Sequence, residues 1–228
     1  MKLIQTTAAV MAVAAFACPA AAATIIAESR FSESAEGWRQ GDFTGGNVTY
    51  ALAWNPAGHV VADDSREQFT AFLAPSAYRG DRRDAFGGAL AFDLATAIPP
   101  DVGRVPYVTL QGAGRLLFGL LTDVAPGEAF SRYAIVLRPE NFFLGSPEEG
   151  PGSIPASEAL FLQVLRDLDQ LSIRADLADG PDQVLLDNVV LTAGAGVPEP
   201  QTWALMIAGF GLAGAALRRV RAWAWREV

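Results

Sequence analysis

From Thr24 to Thr192 apolar residues come in short runs, with Gly, Pro, Asp or Asn returning about every ten positions. That spacing predicts strands joined by turns. The runs fall at 25–31, 48–54, 59–62, 69–73, 89–94, 105–110, 115–121, 132–137, 171–177 and 184–191. Leu171, Ile173, Ala175 and Leu177 alternate with Ser172, Arg174 and Asp176, the period of a half-buried strand. One stretch carries the helical period instead. Between Ser157 and Leu168, the residues Leu160, Phe161, Val164, Leu165 and Leu168 return to one face, and Pro155 stands just ahead. Many short strands with one short helix predict an all-β domain built as a β-sandwich.

Both ends break this pattern. Lys2, an apolar run over 8–17 and Ala21-Ala22-Ala23 have the order of a secretory signal peptide, with cleavage expected between Ala23 and Thr24. At the other end, Pro198 and Pro200 forbid helix, and an uncharged stretch from Trp203 to Leu217 follows, then Arg218, Arg219 and Arg221. As a helix the stretch spans roughly 22 Å at 1.5 Å per residue, short of a ~30 Å hydrocarbon core. Snorkelling arginines and the interfacial Trp203, Trp223 and Trp225 compensate, which predicts one transmembrane helix held in the inner membrane. The arginines place the tail in the cytoplasm. The expected division is 1–23 leader, 24–192 sandwich, 193–202 linker, 203–217 membrane helix and 218–228 basic tail. Ala193 to Val197 reads as a flexible spacer.

Pro198-Glu199-Pro200-Gln201-Thr202-Trp203-Ala204, a Gly-rich apolar helix and a terminal arginine cluster together resemble the PEP-CTERM sorting signal in its PEPxxWA form. The resemblance implies an exported protein of a Gram-negative bacterium that makes exopolysaccharide. It also implies processing near Pro-Glu-Pro by an exosortase-type transpeptidase, so that the anchor is transient and the product reaches the cell surface or matrix. Pro198, Glu199, Pro200, Trp203 and Ala204 carry the motif, and Arg218, Arg219 and Arg221 the membrane stop.

The sandwich region resembles a second family, the laminin B (laminin IV type A) domain. The resembling residues are Phe31 and Gly37-Trp38, then Ala74-Pro75 with Tyr78-Arg79-Gly80-Asp81, then Phe86-Gly87-Gly88-Ala89-Leu90-Ala91-Phe92-Asp93. They continue at Val108 to Gly112, Arg138 to Phe142, Pro155-Ala156-Ser157, Leu171 to Ala175 and Leu186 to Val189. Arg83-Asp84-Ala85-Phe86 departs from the Ser-rich, Tyr-containing stretch usual there. What the resemblance implies is a jelly-roll sandwich like those of carbohydrate-binding modules.

Charge narrows the choice of partner. Of 17 basic and 25 acidic residues, Lys2, Arg218, Arg219, Arg221, Arg226 and Glu227 lie outside the exported part, which leaves 12 basic against 24 acidic. Such a surface repels nucleic acid. The lone Cys18 lies in the leader, so the mature chain holds no disulfide. His59 is the single histidine, and no Gly-x-Ser-x-Gly elbow accompanies it, so the sequence gives no sign of an enzyme. Calcium is the candidate ion, because Asp63-Asp64 and Asp187-Asn188 offer the hard oxygen ligands it prefers. Trp54 and Tyr78, beside Asn55-Pro56 and a Gly-Asp turn, are the expected exposed pair on which an exopolysaccharide or other glycan would stack, whereas Trp38 reads as core. The function expected is noncatalytic adhesion or polysaccharide association, with a glycan-active enzyme or a purely structural matrix component as the alternatives.

Overall fold

The computed structural model describes residues 23–42, 48–64, 70–101, 104–121, 124–145, 154–194 and 209–210. It is a jelly-roll sandwich of two antiparallel sheets with one α-helix. The first sheet contains β1 (Ile25–Ser29), β4 (Ala53–Asn55), β5 (His59–Asp63), β7 (Ala89–Thr96), β10 (Ser131–Val136) and β14 (Gln183–Thr192). Its order is β10-β7-β14-β5-β4, and β1 also lies on β14. In the second sheet are β2 (Arg39–Asp42), β3 (Thr49–Ala51), β6 (Thr70–Leu73), β8 (Tyr107–Gly112), β9 (Arg115–Leu120), β11 (Phe143–Leu144), β12 (Ile154–Pro155) and β13 (Leu168–Arg174). They run in the order β12-β11-β9-β8-β13-β6-β2-β3.

The core follows the alternation. Leu90, Phe92 and Leu94 of β7 are fully buried, as are Val184 and Leu186 of β14. In β14 the parity then changes, and Val189 and Leu191 are the buried pair. A bulge explains the change: the register to β7 shifts between Asp187 and Val190, and Asn188 sits at φ +48°. One extra residue in the strand would otherwise turn every later side chain outward. Asn is among the few non-glycine residues that tolerate this conformation.

The helix α1 (Glu158–Arg166) begins where Ser157 caps it, its Oγ accepting the Leu160 N–H at 3.3 Å. It buries Phe161, Val164 and Leu165, and the Phe161 ring lies 5.1 Å from Phe142 and 6.2 Å from Phe86.

Several expectations are corrected. The run 48–54 is two strands, because the chain crosses at Leu52 from β3 in one sheet to β4 in the other. Ser172 is as buried as its neighbours, since its hydroxyl hydrogen-bonds Thr109 across the adjoining strand. The spacer expected to start at Ala193 is fastened over its first two residues: Ala193 N–H donates to Thr24 O at 2.8 Å and Gly194 N–H to Asp84 O at 3.0 Å.

Among the described residues no helix is long and apolar enough to cross a membrane. Of the stretch 203–217, Gly209 and Phe210 are described, and both are helical and exposed. Pro198, Glu199, Pro200, Trp203, Ala204, Arg218, Arg219 and Arg221 lie outside the described residues, as do residues 1–22 of the leader.

Candidate functional site

Tyr78 is not exposed. It is fully buried, and its hydroxyl donates toward Ser29 Oγ and Val189 O, each at 3.1 Å. Ser29 Oγ also receives the Trp38 Nε1–H at 3.0 Å, and the two rings meet edge to face at 5.2 Å. Burial pushes the Tyr78 phenol up to about 12. Trp54 is 37% exposed but stands opposite the core residue Val60, and its Nε1–H is spent on Phe31 O at 2.6 Å. The pair expected as a sugar platform is therefore a core aromatic and an edge aromatic. The turn residues beside them gave the misleading signal, because a turn can carry an inward-facing ring.

The two acidic pairs proposed for calcium lie apart. Asp63 pairs with Gln183 at the start of β14, while Asp187 and Asn188 form the bulge in the middle of that strand. Asp64 is buried, with its Oδ1 taking the Thr70 hydroxyl at 2.7 Å. Asp187 is likewise engaged, accepting from Asn188 N at 2.6 Å and Asn188 Nδ2 at 3.1 Å. Among the described residues no group of three or more His, Cys, Asp or Glu could hold a metal ion.

What the bulge does assemble is a polar row across the outer face of the first sheet. Arg132 on β10 stands opposite Asp93 on β7, and Asp93 opposite Asp187 on β14. Arg132 Nη1 donates to Asp93 Oδ1 at 3.0 Å and to Asn188 O at 2.9 Å. Asn188 Nδ2 donates to Asp93 Oδ2 at 2.9 Å. His59 lies on the next strand, directly before Val60, which is paired with Leu186. Burial is the main cause of a raised Asp187 carboxyl, with Asp93 adding to it while the Asn188 amide and the His59 and Arg132 charges oppose it.

The row has apolar company. Phe130 is 43% exposed and meets the His59 ring edge-on at 5.7 Å. Beside Arg132, a shallow depression of about 350 Å³ is lined by Leu121, Val124, Ser131, Arg132, Tyr133 and Ala134. Guanidinium and amide donors, carboxylate acceptors and a half-open ring are the groups that bind a neutral polyhydroxylated ring. Both carboxylates are held by fixed donors on their own face, unlike a catalytic pair set across a cleft. Asp187 and Asn188 stand out in the sequence as calcium candidates, whereas Asp93, Arg132 and Phe130 carry no such site signal there. The one available signal was a lone acid at an outward position of an apolar strand, Ala91-Phe92-Asp93-Leu94.

Comparison with known proteins bears on both parts of the chain. The family model described as Laminin B (Domain IV) matches residues 71–205, and the PEP-CTERM protein-sorting motif matches 196–221. The L4b domain of human laminin alpha-2 superposes with a TM-score of 0.59 at 15% identity, over 75% of this chain and 99% of that one. A family 11 carbohydrate-binding module of the cellulosomal cellulase Lic26A-Cel5E of Clostridium thermocellum aligns with a TM-score of 0.44 at 13% identity, over 75% and 97% of the two chains. No curated protein sequence matches the chain.

Proposed function

The chain belongs to the laminin B (domain IV) family and ends in a PEP-CTERM sorting motif, and from that premise we propose that it is an exported surface or matrix protein that holds polysaccharide without cleaving it. In this reading the leader directs export, the 203–217 stretch anchors the chain transiently in the inner membrane, and an exosortase-type transpeptidase releases it near Pro198-Glu199-Pro200. The observation that carries the binding role is the Arg132–Asp93–Asn188–Asp187 row on an open sheet face, beside the half-exposed Phe130. Its side chains are already bonded to one another, so little ordering entropy is lost when a glycan docks.

Two experiments test the two halves. On a glycan array the purified domain should bind, and Arg132→Ala or Asp93→Ala should weaken binding about tenfold or more, since a hydrogen bond to a charged group is worth ~1.5–3 kcal/mol. Unchanged binding in both variants would remove this face from the account. For sorting, replacing Pro198, Glu199 and Pro200 by alanine should leave full-length protein in the inner membrane. Native protein recovered from the matrix with its tail intact would contradict the release step.

A further inference from the structure

Chain start and chain exit share one pole of the sandwich. Thr24, the first residue after the expected leader, accepts from Ala193, and β1 runs antiparallel along 189–192 of β14. The exit is clamped as well as paired. A Cβ on Gly194 would lie 1.9 Å from Phe86 O, and one on Gly88 would lie 2.0 Å from Thr192 O, so neither position admits a side chain without displacing backbone. Residues 195–197 are then all that separates the clamp from Pro198. At a contour limit of ~3.6 Å per residue, Glu199 stays within roughly 18 Å of Gly194 by any path. A folded enzyme whose cleft takes Pro198 to Pro200 and a residue on either side must therefore come up against this pole.

The pole presents a defined surface there. Asp81, Arg83 and Asp84 line an open depression of about 520 Å³, and the Asp84 carbonyl is the one that holds Gly194. Arg83 grips Asp81 through two bonds, Nε to Oδ1 at 2.9 Å and Nη2 to Oδ2 at 2.6 Å, with both side chains more than half exposed. Arg83 and Asp84 sit on a short 3-10 turn, Arg83–Ala85, whose Ala85 is buried, so their offset from the exit is fixed. We propose that this pole, centred on Asp81, Arg83 and Asp84, is a docking surface for the membrane-bound transpeptidase that processes the Pro-Glu-Pro segment. The inference rests on the sorting reading above. A second contact at a fixed offset from the scissile segment raises the local concentration of that segment at the enzyme.

The test uses the full chain in an exporting host that carries the transpeptidase, with cut and uncut protein followed by pulse-chase. Arg83→Glu combined with Asp84→Lys should slow processing about fivefold or more, while the melting temperature of the released domain is unchanged. Inserting about twelve Gly and Ser residues after Gly196 lengthens the connection between the clamp and Pro198 and lets the enzyme reach the motif away from the pole. The insertion should slow the native chain and abolish the difference between native and double-variant surfaces. Processing of the double variant at the native rate overturns the docking surface, as does faster processing on insertion, which would mean that the pole only obstructs. If the native chain itself is never cut, the sorting reading falls and docking falls with it.

Discussion

At the scale of single residues, two buried polar groups do opposite things. Tyr78 ties β1 to β14 through Ser29 and Val189 from inside the core. Tyr78→Phe should cost about 1–3 kcal/mol, read as a lower denaturation midpoint, because buried acceptors lose their donor. Asp182 is instead a liability at neutral pH. It is 1% exposed, its Oδ2 takes the amides of Leu177 and Ala178, and its Oδ1 has no partner among the described residues. Burial pushes its carboxyl from 3.8 up to about 6, aided by Asp64 and Asp176 and opposed by the two amides. A carboxyl raised on folding contributes stability that is complete below about pH 3.8 and lost as pH rises through about 6. The shift corresponds to roughly 3 kcal/mol at 1.36 kcal/mol per unit. Unfolding followed by denaturant between pH 4 and 7 should show that decline, and Asp182→Asn should flatten it. An equal slope in the variant would assign the decline to other groups, of which Asp176 and Asp187 are also raised by burial.

At the scale of elements, most strands were legible in the sequence. The alternating run 171–177, however, is a strand only over Leu168–Arg174, because its pairing with β8 and β6 and not its own period sets where it starts and stops. β7, β8, β9 and β14 lie within a residue or two of the predicted runs, and in β7 Leu90, Phe92 and Leu94 announce the buried face. β2 gives no such signal, because Arg39-Gln40-Gly41-Asp42 has no apolar face to announce. Its place comes from pairing with β6 and β3. The bulge at Asn188 was invisible for a related reason: Leu185-Leu186-Asp187-Asn188-Val189-Val190 reads equally well in either parity, and only the neighbouring strand decides. With it went the polar row, whose members come from three strands far apart in sequence. The clamp at Gly88 was also hidden, since it depends on a carbonyl a hundred residues away. Gly88→Ala should displace the end of β14 from β7 and destabilise the domain by several kcal/mol. A melting temperature equal to that of the native chain would show that the strand end accommodates the methyl group.

At the scale of the whole molecule, the exported part carries twice as many acidic as basic residues, which keeps it soluble and away from polyanions. A neutral or weakly charged polysaccharide suits that surface best, and the row on the first sheet is where its contacts would concentrate. The most direct measurement is affinity electrophoresis of residues 24–194 through gels containing a neutral bacterial exopolysaccharide, with assay of reducing ends in the same gel. The native domain should be retarded in proportion to polysaccharide concentration and release no reducing ends, and the Arg132→Ala, Asp93→Ala double variant should migrate as in an empty gel. Unretarded migration of the native domain, or the appearance of new reducing ends, would contradict a role in holding polysaccharide without cleaving it.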